Sequence, residues 1–147
     1  MRTFAKVSAR LMSAVLAVAS LAPVMQGQNQ SFAARMTVPF AFETASGQHF
    51  QPGVYTISIT GTQTMLIRGT TSSGLAMFQQ QANEGAPVSH GKAVFMRYGD
   101  EYYLRSVSVS GNSTRLLFSG SKAERQSQVA SGKSPAAVEL ALLHPGR

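Results

Sequence analysis

Along residues 36–43, "MTVPFAFE", larger apolar residues alternate with small or polar ones, putting Val38, Phe40 and Phe42 on one face and Thr37, Pro39 and Ala41 on the other. A period of two predicts a half-buried β-strand, and a proline inside it, lacking an N–H, sends that strand to a sheet edge. In "FQPGVYTISIT", Pro52-Gly53 predicts a type II turn leading into a strand that places Tyr55, Ile57 and Ile59 on one face. A "GTQ" turn then leads to "TMLIRG", and further strands are predicted at "LAMFQQQA", "KAVFMRY", "YYLRSVSVS", "TRLLFS" and "AAVELALL". These seven or eight strands recur every 8 to 15 residues or so, with Gly, Ser, Asn or Pro between them. They predict an all-β fold, a small antiparallel β-sandwich or partly open barrel.

One stretch departs from this rhythm. "SGSKAERQSQVASG" sets Glu124 three residues after Ser121, a capping-box spacing, and runs without Gly or Pro to Ala130. One short surface helix is predicted near 121–130. Only Ala123, Val129 and Ala130 are apolar, so its buried stripe is expected to be thin.

Residues 97–105, "RYGDEYYLR", hold three of the four tyrosines in the chain. A two-residue turn at Gly99-Asp100, with glycine first, suits type II′. It sets Tyr98 opposite Glu101, Arg97 opposite Tyr102, Met96 opposite Tyr103, Phe95 opposite Leu104 and Val94 opposite Arg105. One face then carries Ala93, Phe95 and Leu104, closed at its rim by Tyr102 under the Arg97 guanidinium. The other carries Lys92, Val94, Met96, Tyr98, Glu101, Tyr103 and Arg105. Two expectations compete for that second face: a solvated sheet surface, or a shallow binding platform built from Tyr98, Tyr103, Arg105 and Lys92. As a platform, it would lose ligand capture on Tyr103→Ala or Arg105→Ala with the melting temperature nearly unchanged.

The amino-terminal residues change the charge picture. Arg2, Lys6 and Arg10 precede an uncharged apolar run from Leu11 to Met25, the layout of a secretory signal peptide over residues 1–27, with cleavage as late as residue 33. The run is short for a membrane span, which needs roughly 20 residues. Of 13 Lys and Arg, 10 remain in a single domain over 34–147 against six Asp and Glu, so the net charge falls from +7 to 10 − 6 = +4. Those charges form no basic run, and a nucleic-acid partner is not expected. With no cysteine, the domain must hold without disulfides and cannot carry a lipid on a thiol. A secreted or periplasmic protein follows, with no membrane span once the leader is removed and its oligomeric state left open.

Catalytic chemistry finds little support. His49, His90 and His144 lie about 40 to 54 residues apart, too scattered for a metal-ligand motif, and no metal or other cofactor is expected. Asp100 is the lone aspartate and no G-x-S-x-G elbow occurs, which leaves a Ser-His-Asp hydrolase unsupported. Glu43 and Glu101 are the candidates for a glycosidase carboxylate pair, but their separation is not readable from the sequence. The reading is non-catalytic: a binding or structural module of the cell envelope, contacting polysaccharide or protein. The alternatives are an assembly subunit, pairing through sheet edges at "MTVPFAFE" and "AAVELALL", and a small carbohydrate-active enzyme.

Taken in order, "VPFAF", "PGVYTIS", "LIRG", "KAVFMRYGDEYYL" and "SGSKAERQ" span about residues 36 to 128 and resemble a group of small secreted β-domain proteins of acidobacteria with no assigned activity. The chain departs from that group at Gln51-Pro52-Gly53, which lacks a residue between Pro and Gly, and at Gly120-Ser121-Lys122, which replaces a Lys-Ser pair. The resemblance implies an exported β domain and carries over no site residue.

Overall fold

The computed structural model describes residues 32–82 and 87–144; the leader expected over residues 1–27 lies outside them. The strands are β1 (Ala33–Val38), β2 (Phe42–Glu43), β3 (His49–Phe50), β4 (Gly53–Ile59), β5 (Thr64–Arg68), β6 (Ser73–Met77), β7 (Gln79–Ala82), β8 (Lys92–Tyr98), β9 (Glu101–Ser108), β10 (Thr114–Leu117) and β11 (Ala136–Ala141). Among the described residues there is one helix, α1 (Lys122–Ser131), between β10 and β11. One sheet has the order β1-β4-β5-β6. The other runs β11-β8-β9-β10-β7, with β2 joined to β9 and β3 to β2. Four strands thus face seven in an all-β sandwich, and the described strands close no barrel.

The strand number exceeds the expected seven or eight because two continuous hydrophobic patterns are each cut in two. In "MTVPFAFE" the ladder of β1 ends at Val38, next to Pro39, and the chain crosses to the second sheet before resuming as β2. Proline cannot supply the donor that would carry the ladder on. β1 does sit at the end of its sheet, but Pro39 ends the strand instead of lying inside it. In "LAMFQQQA" the break falls at Phe78, where β6 leaves the first sheet and β7 enters the second. Phe78 N donates to Gln63 O at 2.9 Å, which anchors the crossing. The third addition is the short β3.

Between the sheets lie Met36, Val38, Tyr55, Ile57, Met65, Ile67 and Ala76 from one side and Phe42, Phe50, Phe95, Leu104, Val107 and Leu116 from the other. Tyr55 and Ile57 are buried as the alternation requires, whereas Ile59 is only partly so. At one end the aromatic rings interlock. Phe42 stacks on Phe50 with centroids 5.0 Å apart, and Phe95 meets Phe42 and Phe40 edge-on, each at 5.2 Å. Edge-to-face pairs of this kind add about 0.5–1.5 kcal/mol beyond the area they bury.

The β8–β9 hairpin has the expected register from Tyr98↔Glu101 to Phe95↔Leu104. Gly99 has φ 63° and no non-glycine residue among those described has a positive φ, so the turn is of the II′ kind. Ala93, Phe95 and Leu104 enter the core, and the Arg97 guanidinium carbon lies 5.6 Å from the centroid of Tyr102. Beyond Phe95 the register shifts, and Val94 pairs with Ser106 instead of Arg105. Arg105 is therefore the extra residue of a β-bulge. A bulge re-aims a side chain and restores the alternation beyond it, here returning Val107 to the core.

Candidate functional site

β2 is two residues long, and alternation gives each a different fate. Phe42 points into the core, while Glu43 lies on the outer side of the sheet, paired with His49 of β3 and set parallel beside Tyr103 of β9. Across this outer side lies α1. Its N-cap Ser121 accepts from Glu124 N at 3.0 Å and donates to Glu43 Oε1 at 2.9 Å. The expected cap is present, but the Glu124 side chain does not turn back to close the box. It points down at the sheet.

α1 is held by a polar row at 121, 124 and 127, three residues apart and so on one side of a helix. Glu124 is 4% exposed; it accepts from the Arg105 guanidinium and, at 3.2 Å, from Tyr98 Oη. Ser127 Oγ and Tyr103 Oη both donate to Glu101 Oε2, the latter at 2.6 Å. Val129, one of the few apolar residues of the helix, is 84% exposed and takes no part.

The structure thus brings together three of the four candidate residues and buries the aromatic ones. Tyr98 and Tyr103 are 6% and 3% exposed, packed edge-on at 5.8 Å beneath α1. At this end the face is neither solvated nor an open platform, whereas Lys92, Val94 and Met96 farther along it are half-buried. The helix covers this end through the contacts of Glu124 with Arg105 and Tyr98 and of Ser127 with Glu101. Lys92 lies at the far end of the hairpin, where its Nζ is 2.8 Å from Glu139 of β11 in an exposed pair. The neighbouring ring face is taken as well, since Tyr102 stacks on Phe40 at 3.8 Å and 11°.

What opens beside the helix is a cleft of about 320 Å³, lined by Glu43, His49, Asp100, Glu101 and the edges of Tyr102 and Tyr103, among others. A second hollow of about 530 Å³ shares Glu43 and His49 and continues past Ser46, Ser121 and Lys122. Glu43 and Glu101, whose separation the sequence left open, line the first cleft together. Glu43 is 4% exposed and its Oε2 lies 3.3 Å from Nε2 of the exposed His49. A readable signal was there: "FETASGQHF" is a short hairpin with a phenylalanine at each end, and it necessarily sets its Glu and His side by side.

The order of groups here is Ser121–Glu43–His49, with the carboxylate in the middle. A hydrolytic triad needs the imidazole between serine and carboxylate, so these three groups do not form one. Among the described residues, no group of three or more His, Cys, Asp or Glu is placed to hold a metal ion, and no helix is long and apolar enough to cross a membrane.

The hydrogen-bond geometry sets the ionisation of these groups. Ser127 and then Tyr103, both donating to its oxygen, hold the Glu101 carboxyl below the usual range. Burial first, and then the adjacent Glu101 carboxylate, push the Tyr103 phenol up to about 12. Burial and Glu124 raise Tyr98 as well. A phenol whose folded pKa exceeds its unfolded value contributes stability below the unfolded pKa, 10.0, that is lost as pH rises through about 12. Glu101 acts in the opposite sense, contributing above its unfolded value and losing this as pH falls through its folded one. Melting temperature is therefore expected to fall between pH 10 and 12, less steeply in Tyr103→Phe. Identical alkaline profiles for the two proteins would contradict this assignment.

The fold and site together define a class, an all-β sandwich with a helix docked on one hairpin through polar contacts. No protein-family model, curated protein or solved structure matches the chain.

Proposed function

We propose that the protein is an exported, non-catalytic binding module of the cell envelope, and that the cleft beside α1 holds its ligand. One observation carries this reading: Glu43, His49 and Glu101 reach the same cleft from three different strands. Carboxylates and an imidazole exchange hydrogen bonds readily with hydroxyl groups, and a polyhydroxylated envelope polysaccharide is the ligand class that this chemistry suits. The aromatic rings contribute edges and packing, since Tyr102 is stacked on Phe40 and Tyr103 is buried against Tyr98.

Two features weigh against catalysis. A glycosidase needs one carboxyl kept protonated near neutral pH, whereas Glu101 is held ionised by two donors. Both oxygens of Glu43 are engaged, by Ser121 and by His49. Export rests on the leader-like residues 1–27.

The test is capture of solubilised envelope polysaccharide by the purified protein, compared with its His49→Ala and Glu101→Gln variants. Loss of one ligand hydrogen bond at about 1–1.5 kcal/mol should weaken binding about tenfold in each. Equal capture by all three proteins, or release of reducing sugar by the wild type, would overturn the proposal.

A further inference from the structure

The sheet edges of the sandwich are treated very differently. Along β6, Gln48 Nε2 donates to Ser73 O at 2.8 Å, and Ser46 Oγ reaches Leu75 O at 3.5 Å. The fit is tight: a Cβ on Gly74 would stand 1.8 Å from Gln48 Oε1. Side chains thus occupy an edge that a foreign strand would need. β1 is met at Arg35, which exchanges two backbone hydrogen bonds with Leu143, at 2.7 and 2.8 Å. The last residue of "AAVELALL" therefore pairs with the residue just before "MTVPFAFE".

β11 is different. Its even residues face β8, as the Leu142 N to Gly91 O bond shows, and Leu143 faces the other way. By alternation, Ala137, Glu139 and Ala141 direct their N–H and C=O groups outward along the sheet, and no described residue pairs with them. The strand has no proline, no bulge and no lysine, the usual devices that blunt an edge. Its one charge, Glu139, forms an exposed pair with Lys92. Val138 and Leu140 pack against the core but remain half-buried.

We propose that β11 pairs antiparallel with β11 of a second copy of this chain, about a two-fold axis through Val138. Only pairings between outward-facing residues form a ladder, and they leave a short choice. Setting Glu139 opposite itself puts like charges together, which is destabilising. Setting Glu139 opposite Ala141 would bring Ala137 against Leu143, already bonded to Arg35. Setting Ala137 opposite itself leaves a single complete pair, flanked on both sides by Glu139 against Pro135, which has no N–H to give. The remaining register has two complete pairs: it places Ala137 opposite Glu139 twice, Val138 opposite Val138 and Ala136 opposite Leu140, and Pro135 meets Ala141 only where the ladder ends. It makes about four backbone hydrogen bonds, opposes no like charges, and extends the inner face of the seven-stranded sheet across the axis. The half-buried sides of Val138 and Leu140 meet apolar residues of the second copy. An isologous contact of this kind closes on itself and gives a dimer, not a fibre.

The test uses sedimentation over a wide concentration range together with cross-linking. The wild type should pass from monomer to dimer. Ala137→Glu, which sets carboxylates opposite each other, should weaken the dimer about tenfold or more, whereas Ala137→Lys should keep or strengthen it. Because the chain has no cysteine, Val138→Cys should give a covalent dimer on mild oxidation. Ala136→Cys, which faces Leu140, should not. A wild type that stays monomeric at every concentration overturns the proposal. So does a dimer indifferent to Ala137→Glu, or cross-linking that is equal at positions 136 and 138.

Discussion

Replacing Arg105 by methionine is expected to destabilise the protein by about 2–3 kcal/mol, a fall of about 10 °C in melting temperature. The reason is the partner left behind. Glu124 is 4% exposed and accepts from Arg105 and Tyr98; without the guanidinium its charge stays buried with one neutral donor. Breaking a fully buried pair from one side costs about 3–5 kcal/mol, and the lower figure applies because Arg105 itself is a third exposed, at 34%. The double variant Arg105→Met with Glu124→Met removes both charges and should recover most of the loss. Urea unfolding of the wild type, the two single variants Arg105→Met and Glu124→Met, and the double variant measures the coupling directly. If the single and double variants were equally destabilised, the pair would not be what holds α1 down. Contrary to the platform expectation, Arg105→Ala and Tyr103→Ala must also lower the melting temperature, since both side chains fasten the helix to the hairpin.

Phe95→Ala should cost more, about 3–5 kcal/mol, through lost burial and the cavity it leaves. Phe95 has no exposed surface and touches Phe40 and Phe42 edge-on. Phe42 in turn stacks on Phe50, and those two rings are the inward halves of the dipeptides that present Glu43 and His49. Loss of Phe95 should therefore loosen the cleft as well as the core. Phe95→Leu, which keeps most of the volume, should cost about 1.5 kcal/mol or less and leave the Glu43–His49 contact intact. Denaturant midpoints and the imidazole resonances of His49 report the two effects. A cost below about 1 kcal/mol for the alanine variant would place the main packing elsewhere.

Much of this architecture was legible in residue order. Tyr55 and Ile57 alternate into the core, Gly99-Asp100 turns the hairpin in the expected register, and Ser121 caps α1. Two features misled. Pro39 and Phe78 each lie within an unbroken hydrophobic alternation, and alternation does not reveal which sheet a strand belongs to, because both inner faces want the same residues. The helix looked solvated because its stripe of apolar residues is thin. It is held instead by Ser121, Glu124 and Ser127, polar residues that a hydrophobic pattern does not register.

Local chemistry thus determines the elements: period two makes the strands, a glycine with positive φ makes the turn, and a serine with a free backbone N–H three residues on starts the helix. These interactions span a few residues and are complete within them. The placement of α1 over the hairpin, the parallel contact of β2 with β9, and the bulge at Arg105 are decided by the tertiary structure alone. Ser121 reaches Glu43 across 78 positions of sequence, and Tyr98 reaches Glu124 across 26. Such contacts depend on how two sheets and a helix meet in space, and the cleft exists only where they do.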